Sequence, residues 1–309
     1  MQLSNRLRRG DPCAGAEAGV KLAKVGVARR PKATRALSAL VAIAAVIPLA
    51  GCPDPPKWVV QWQAPGERPT GEWFNVHSPN TSPPRFRLEQ VPGGDMAWRA
   101  EVASGPPEPV FNLSGKEIRG GQRAEGVGPS ETEASGTVRY EWRTMFDPTF
   151  PNYDNNDVWQ VFAQWHQGDP EPPVGNSPPV AFTVDSGQMF VQLHTAPTSS
   201  GGLSTYVGDY LIGPVAAGQW HNFAAEIRWS TNPAVGSVTV WHNDNRVKLK
   251  GQDTYVGQTM FPGAWNCPDQ NISDNVDCTY MKMGFYRKAT EKPESFVVWH
   301  DDVRRLIKQ

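Results

Sequence analysis

The octapeptide Tyr280-Met281-Lys282-Met283-Gly284-Phe285-Tyr286-Arg287 carries two phenols, an ammonium and a glycine at alternate positions. Read as a β-strand, it sends Met281, Met283 and Phe285 to one face and Tyr280, Lys282 and Tyr286 to the other. Gly284 leaves a gap on that polar face, where a ligand can approach the backbone. Two further stretches share the geometry. Gln122–Glu125 as a strand puts Arg123 and Glu125 on one face, and Gln164-Trp165-His166 does the same for Gln164 and His166. An imidazole has an ordinary pKa near ~6.5 and can take a proton at neutral pH. If the three strands are neighbours, these six polar side chains converge on one groove equipped for proton transfer and for holding an anion. The plain alternative is an ordinary solvated sheet face.

The elements that must position them read as strands. The 309 residues include 29 Gly, 29 Pro and 12 Trp, and long helical periodicity is absent from the body of the chain. Short β-branched and aromatic runs separated by Pro, Gly, Asn and Asp fill it instead, which is an all-β pattern. Lys57–Gln63 reads as a possible first strand. Arg85–Glu89 and Met96–Val102 pair across a turn, and Val138–Phe146, Val158–His166, Val180–Val184 and Gln188–His194 follow. Trp220–Trp229, Ser237–Trp241, Arg246–Leu249, Thr279–Arg287 and Ser295–Trp299 complete the series. About a dozen strands without a repeat predict a two-sheet sandwich of jelly-roll type.

The first fifty residues lie outside that pattern. Arg29, Arg30, Lys32 and Arg35 precede an apolar run from Ala36 to Ala50, and Leu49-Ala50-Gly51-Cys52 closes it. A basic region, a short apolar run and small residues at a cleavage point make an export signal. The ending resembles a bacterial lipobox, with Cys52 as the lipidated first residue. The expected divisions are 1–51 as lipoprotein signal, 52–84 as a Pro-rich tether with a possible first strand, and 85–309 as the domain. An outer-membrane, cell-surface or periplasmic lipoprotein held by its lipid anchor follows, expected as a monomer.

Without residues 1–51 the chain keeps 21 basic and 29 acidic residues, a formal −8. That balance argues against nucleic acid and against very highly sulfated polyanions, unless a local basic groove overrides it. Export permits a disulfide between Cys267 and Cys278. Their spacing by itself decides for neither a bridge nor two free thiols. The Tyr153-Asp154-Asn155-Asn156-Asp157 segment could hold a structural calcium, or be a loop of turn-formers that needs no metal; no cofactor is otherwise expected.

Arg-x-Glu (Arg123, Glu125), Gln-x-His (Gln164, His166) and Tyr-x-Lys-x-Gly-x-Tyr (Tyr280 to Tyr286), in that order, resemble the jelly-roll polysaccharide lyases. The alginate lyases of that fold share the three blocks. Phe162–His166, Gly218–Phe223, Val238–Trp241 and Met283–Arg287 are most similar to the heparin lyase I-like and glucuronan lyase group. The resemblance runs from about Arg85 to the C-terminus. It implies a concanavalin A-like sandwich whose concave sheet forms a groove for an acidic polysaccharide. Family members often follow Arg-x-Glu with Leu or Val and another basic residue; here Gly126-Val127-Gly128 follows. Gln-x-His also occurs at Gln192/His194 and Gln219/His221. The long loop after His166, as in the family, favours the first copy. His221 is then structural, and Gln192 and His194 lie elsewhere in the groove.

The implied reaction is β-elimination across C4–C5 of a uronate, leaving a 4,5-unsaturated end. Arg123 and Gln164 would neutralise the carboxylate, with His166 and Tyr286 as the proton-transfer pair. Lys282, Glu125, Tyr280, Gln192, His194 and Arg287 would bind substrate, Arg287 if it curls back. Glucuronan-like or alginate-like chains are the first expectation, heparin-like ones the next. No Glu-x-Asp occurs anywhere, which weighs against the paired carboxylates of a retaining glycosidase. A non-catalytic sugar-binding sandwich on the cell surface is the alternative.

Overall fold

The structure, a computed structural model, describes residues 57–64, 73–92, 94–154, 156–168, 177–196, 204–268, 272 and 275–309. All of them belong to one compact unit, Lys57–Gln309. Cys52, the expected lipid-bearing residue, lies outside the described residues, as does the 1–51 segment.

Among the described residues there are seventeen strands, one short 3₁₀ helix (Glu133–Ser135) and no α-helix. The chain begins with β1 (Trp58–Gln63), β2 (Asn75–Pro79), β3 (Phe86–Gln90), β4 (Met96–Val102), β5 (Val110–Phe111) and β6 (Gln122–Glu131). It continues with β7 (Thr137–Phe146), β8 (Gln160–Gln167), β9 (Val180–Asp185), β10 (Gln188–Thr195) and β11 (Thr205–Pro214). It closes with β12 (Trp220–Arg228), β13 (Ser237–His242), β14 (Asn245–Arg246), β15 (Tyr255–Val256), β16 (Thr279–Arg287) and β17 (Phe296–Lys308).

Every named pairing is antiparallel. One sheet has nine strands, in the order β14-β13-β12-β7-β17-β4-β3, with β1 on β17 and β15 on β13. The other has eight, in the order β11-β10-β9-β8-β16-β6-β2-β5. The two form the expected jelly-roll sandwich. Their inner faces meet in a core rich in aromatic rings: Trp142 stacks on Phe223, Phe285 on Phe296, and Trp165 packs against Tyr140 and Trp229. One buried polar clamp also ties the sheets. Glu131, at the end of β6, accepts from Arg305 Nε (2.6 Å) and Nη2 (2.8 Å) of β17 and from the Tyr140 hydroxyl of β7.

Three expectations need correction. The sandwich starts before Arg85: β1, the possible first strand at Lys57–Gln63, pairs with β17, and β2, which was not expected, pairs with β6. β17 runs past Trp299 to Lys308 through a bulge between Asp301 and Arg304, which the acidic pair Asp301-Asp302 disguises as a loop. β11 was not expected at all. Gly208 and Gly213 interrupt its alternation, and the register against β10 shifts twice.

Candidate active site

β16 lies between β8 and β6, so the three motif-bearing strands are adjacent. Met281, Met283 and Phe285 are buried in the core. The opposite face carries Tyr280, Lys282 and Tyr286. Antiparallel register sets His166 beside Tyr280 and Gln164 beside Lys282 on one flank. Glu125 stands beside Gly284 and Arg123 beside Tyr286 on the other. All six polar side chains anticipated for a groove therefore share one face of the eight-stranded sheet.

Gly284 is indispensable here. Its φ is +150°, and a Cβ would run into the Ala124 carbonyl and lie 2.7 Å from the Glu125 Cα. The register against β8 shifts between Met283 and Tyr286. The Gly284 carbonyl accepts from His300 Nε2 (3.0 Å) of the other sheet. Because a carbonyl only accepts, Nε2 carries the proton, and Nδ1 accepts from the Thr144 hydroxyl at 3.0 Å. Burial pushes the His300 pKa down to about 4, so the ring is a neutral bridge between the sheets. Above Gly284, where no side chain intervenes, Gln164 Nε2 donates to Glu125 Oε1 across β16 at 2.6 Å.

Arg123 lies with its guanidinium carbon 3.8 Å from the Tyr286 ring centre and Nη1 3.6 Å from Glu125 Oε2. The phenol oxygen of Tyr286 receives the Gly121 N–H at 3.4 Å, and Trp159 packs edge-on at 4.6 Å. Gly120 and Gly121 permit this approach, since a Cβ at Gly121 would meet the Tyr286 and Trp159 rings at 2.6 Å. A cavity of about 320 Å³ opens beside this end, lined in part by Arg119, Gly120, Gly121 and Glu108.

His166 donates from Nδ1 to the Gln167 carbonyl at 2.7 Å. Its Nε2 is then the ring's lone-pair nitrogen. Burial first, then the Lys282 charge, holds its pKa well below 6.5. The imidazole is neutral at neutral pH. Its ring centre is 5.5 Å from that of Tyr280, and Lys282 Nζ lies 5.2 Å from the same tyrosine ring. Lys282 is 2% exposed, Glu125 2% and Arg123 5%. Two buried cations against one buried carboxylate leave the cluster with an excess of positive charge that favours an anion.

The polar face extends further. Gln192 donates to Asp209 Oδ1 at 3.0 Å, and His194 lies 5.6 Å from the Tyr206 ring centre, on β10 and β11. Arg287 does not belong to it. Alternation turns Arg287 to the core side, where it stacks on Phe296 at 4.6 Å and donates to the Thr290 carbonyl at 2.9 Å. His221 sits on β12 in the other sheet, accepting from the Ala216 N–H and hydrogen-bonded to His242 at 2.9 Å.

Cys267 and Cys278 are joined in a disulfide, with Cα atoms 6.2 Å apart. The bridge fastens the loop before β16, and Gly168 at the end of β8 donates to the Cys278 carbonyl. In the acidic 153–157 segment, Asp154 Oδ1 caps the Asp157 N–H at 3.0 Å and Asp157 pairs with Lys292; Asn155 lies outside the described residues. Among the described residues no group of three or more His, Cys, Asp or Glu could hold a metal ion.

Residues 72–304 match the family model described as polysaccharide lyase. The chain belongs to the polysaccharide lyase family. No curated protein matches it. Among solved structures, the endo-β-1,4-glucuronan lyase from the fungus Trichoderma reesei superposes with a TM-score of 0.54 at 14% identity, covering 80% of this chain and 95% of that one. The family 7 alginate lyase A1-II′ in complex with substrate gives 0.46 at 16% identity, covering 80% and 97%. Such identities bear on the fold alone.

In this polysaccharide lyase one candidate escaped the sequence reading. His77 on β2 lies beside Glu125 and is buried, with no hydrogen-bond partner at Nδ1. Burial, Lys282 and Arg123 push its pKa down to about 2. The Pro-rich surroundings hid it, because strands are not expected among Pro79, Pro83 and Pro84. The isolated Val76-His77 pair was the only signal available.

Proposed function

We propose that this lyase cleaves a uronate-containing polysaccharide by β-elimination. A base takes H5, the C5–H electron pair becomes the C4=C5 bond, and O4 departs with a proton from an acid, so no water is consumed. Charge grows on the uronate carboxylate as H5 leaves, and cationic groups and N–H donors fixed nearby lower that barrier. Lys282, Arg123 and the Gln164 amide are suited to this. His166 is suited to be the base because it is neutral, with its lone pair at Nε2. Tyr286 is suited to be the acid: the Gly121 N–H and the Arg123 guanidinium both stabilise negative charge left on its oxygen. Where H5 and O4 leave from one face of the sugar, Tyr286 can serve as both base and acid. Where they leave from opposite faces, His166 as base needs an acid within reach of the same sugar, and its register partner is Tyr280, with Tyr286 six residues further along β16. The observation that carries this reading is the gathering of His166, Gln164, Lys282, Tyr286 and Arg123 on one face of three adjacent strands.

A second assignment rests on the ring contact between His166 and Tyr280, which makes Tyr280 the acid instead. The test follows ultraviolet absorbance of the new conjugated double bond on glucuronan, alginate blocks, heparin and chondroitin. Tyr286→Phe should lower turnover by about 10²- to 10⁴-fold, with Tyr280→Phe far milder; the reverse ranking transfers the role to Tyr280. Reducing ends appearing without that absorbance mean hydrolysis and end the lyase mechanism.

We also propose that Cys52 carries a lipid anchor and that residues 1–51 are removed on export. Position 53 is Pro rather than Asp, which fits an outer-membrane or exposed location. Unchanged processing and membrane association in Cys52→Ser would end that reading.

A further inference from the structure

The polar face is divided by charge. β6 and β16 supply Arg123 and Lys282, against the single carboxylate of Glu125. β8, β9, β10 and β11 contain no lysine or arginine. The gap is wider in the sequence: between Arg143 and Arg228 there is no basic residue, while eight acidic residues occur. One of these, Asp209, lies on the polar face, because it is the register partner and hydrogen-bond acceptor of Gln192.

What this half offers instead is neutral. Tyr206 is 56% exposed and stands beside His194, whose pKa is lowered by burial. Leu211, also exposed, is the register partner of Phe190. Ala181, between Gln164 and Gln192 in register, leaves a shallow place without a side chain beyond Cβ. From β16 to β11 is four strand spacings, about 19 Å, room for several sugar rings. An aromatic ring with amide and hydroxyl neighbours suits an uncharged pyranose, whose CH face packs on the ring while its hydroxyls bond at the edge. It does not suit a carboxylate on every sugar.

We propose that the substrate is a heteropolysaccharide: a uronate occupies the Arg123–Lys282 half, and uncharged sugars occupy the β9–β11 half. This rests on the uronate-lyase reading and specifies its polymer. A homopolyuronate would set a carboxylate against Asp209 with no cation on those strands to answer it. At a separation of about 5 Å and a dielectric between those of protein and water, the repulsion is worth about tenfold in affinity.

The test uses glucuronan and the same polymer after reduction of half its carboxyl groups to primary alcohols, which keeps the linkages and dilutes the charge. Initial rates of unsaturated product are normalised per remaining uronate. The wild-type lyase should be about tenfold faster on the half-reduced polymer. Asp209→Lys should remove or reverse that preference, and Asp209→Asn, which keeps a partner for Gln192, should lessen it. Equal or faster wild-type cleavage of the unreduced polymer, with no change in Asp209→Lys, overturns the inference. If neither polymer gives unsaturated product, the elimination reading fails separately. Calorimetric binding of both polymers to wild type and Asp209→Lys then decides the charge argument: tighter binding of the half-reduced chain to wild type supports it, and equal or tighter binding of glucuronan overturns it.

Discussion

Gln164-Trp165-His166 and Gln219-Trp220-His221 are the same tripeptide on two sheets, and they end in opposite phases. On β8, Trp165 is buried in the core and Gln164 and His166 face outward with the charged cluster. On β12, His221 is buried against Phe223 and Phe146, and Trp220 turns outward beneath the Arg143 guanidinium at 4.6 Å. The flanking residues set the phase. Phe223, Ala225 and Ile227 claim the core side of β12, which puts His221 inside; on β8 Ala163 and Trp165 claim it, beyond the register shift between Val161 and Ala163. A shift of one residue exchanges the two faces of a strand. A catalytic-looking pattern therefore acquires its chemistry from the strand that carries it.

The surroundings of the two imidazoles differ accordingly. His221 is held by the Ala216 N–H and by His242, and burial pushes its pKa down to about 4. Both ring nitrogens are engaged by the protein itself. His166 uses only Nδ1 on the Gln167 carbonyl and has Lys282 and Arg123 in its field. The charges of the sheets contrast in the same way. Arg139 is paired with Glu141 and Glu226 on the nine-stranded sheet, and Arg143 with Asp301. On the eight-stranded sheet, Arg123 Nε and Glu125 Oε2 are buried without hydrogen-bond partners. Arg304 Nε on the nine-stranded sheet is likewise without a hydrogen-bond partner, so the contrast lies in burial: Arg123 and Glu125 are buried, while Arg139 and Arg143 are only half-buried.

The sharpest way to break the comparison is to delete the same residues from both tripeptides. His166→Ala should lower turnover by about 10²- to 10⁴-fold, the usual span for a lost general base, and less if Tyr286 acts alone on a same-face elimination. Gln164→Ala should slow the chemical step by about 10²- to 10³-fold, as for the loss of one charge-stabilising donor. His221→Ala and Gln219→Ala should leave the rate of double-bond formation within about twofold, while His221→Ala lowers the unfolding midpoint through its buried partners. A large loss of kcat in folded His221→Ala, with His166→Ala near wild type, would exchange their roles.

The smaller effect concerns stability and pH. His300 and His221 have folded pKa values near 4 against about 6.5 when unfolded. Between those limits the unfolded chain binds more protons, so stability must fall as pH drops from about 6.5 toward 4. Each such histidine contributes up to about 1.4 kcal/mol per pH unit within the window. His300→Leu should cost about 1 to 3 kcal/mol at pH 7, because it leaves the Gly284 carbonyl and the Thr144 hydroxyl without their partner. It should also flatten the acid slope. Urea denaturation at pH 7, 6 and 5 reads both quantities, and an unchanged slope in the variant would remove His300 as the source.

Much of the architecture was legible in the sequence because β-structure writes a period of two into local order. Met281, Met283 and Phe285 alternate with Tyr280, Lys282 and Tyr286, and that assigned both faces of β16 before any partner strand was known. The same alternation already set Arg287 with the apolar residues, where it proves to stack on Phe296. Arg-x-Glu and Gln-x-His were likewise readable as co-facing pairs. Strands that break the period were harder to see: β11 carries Gly208 and Gly213 at its register shifts, and β17 bends at Asp301.

Only the tertiary structure decided which strands became neighbours and in what register. Pairing between β8 and β16 brought His166 against Tyr280 rather than Tyr286, a relation set across 113 residues of intervening chain. Pairing between β2 and β6 brought His77 beside Glu125 and lowered its pKa by burial and by two cations from other strands. Period two depends on each residue's own backbone, so a single sequence can state it. Register and sheet order depend on the summed packing of two inner faces and on bulges such as that at Gly284, which no short stretch of chain contains.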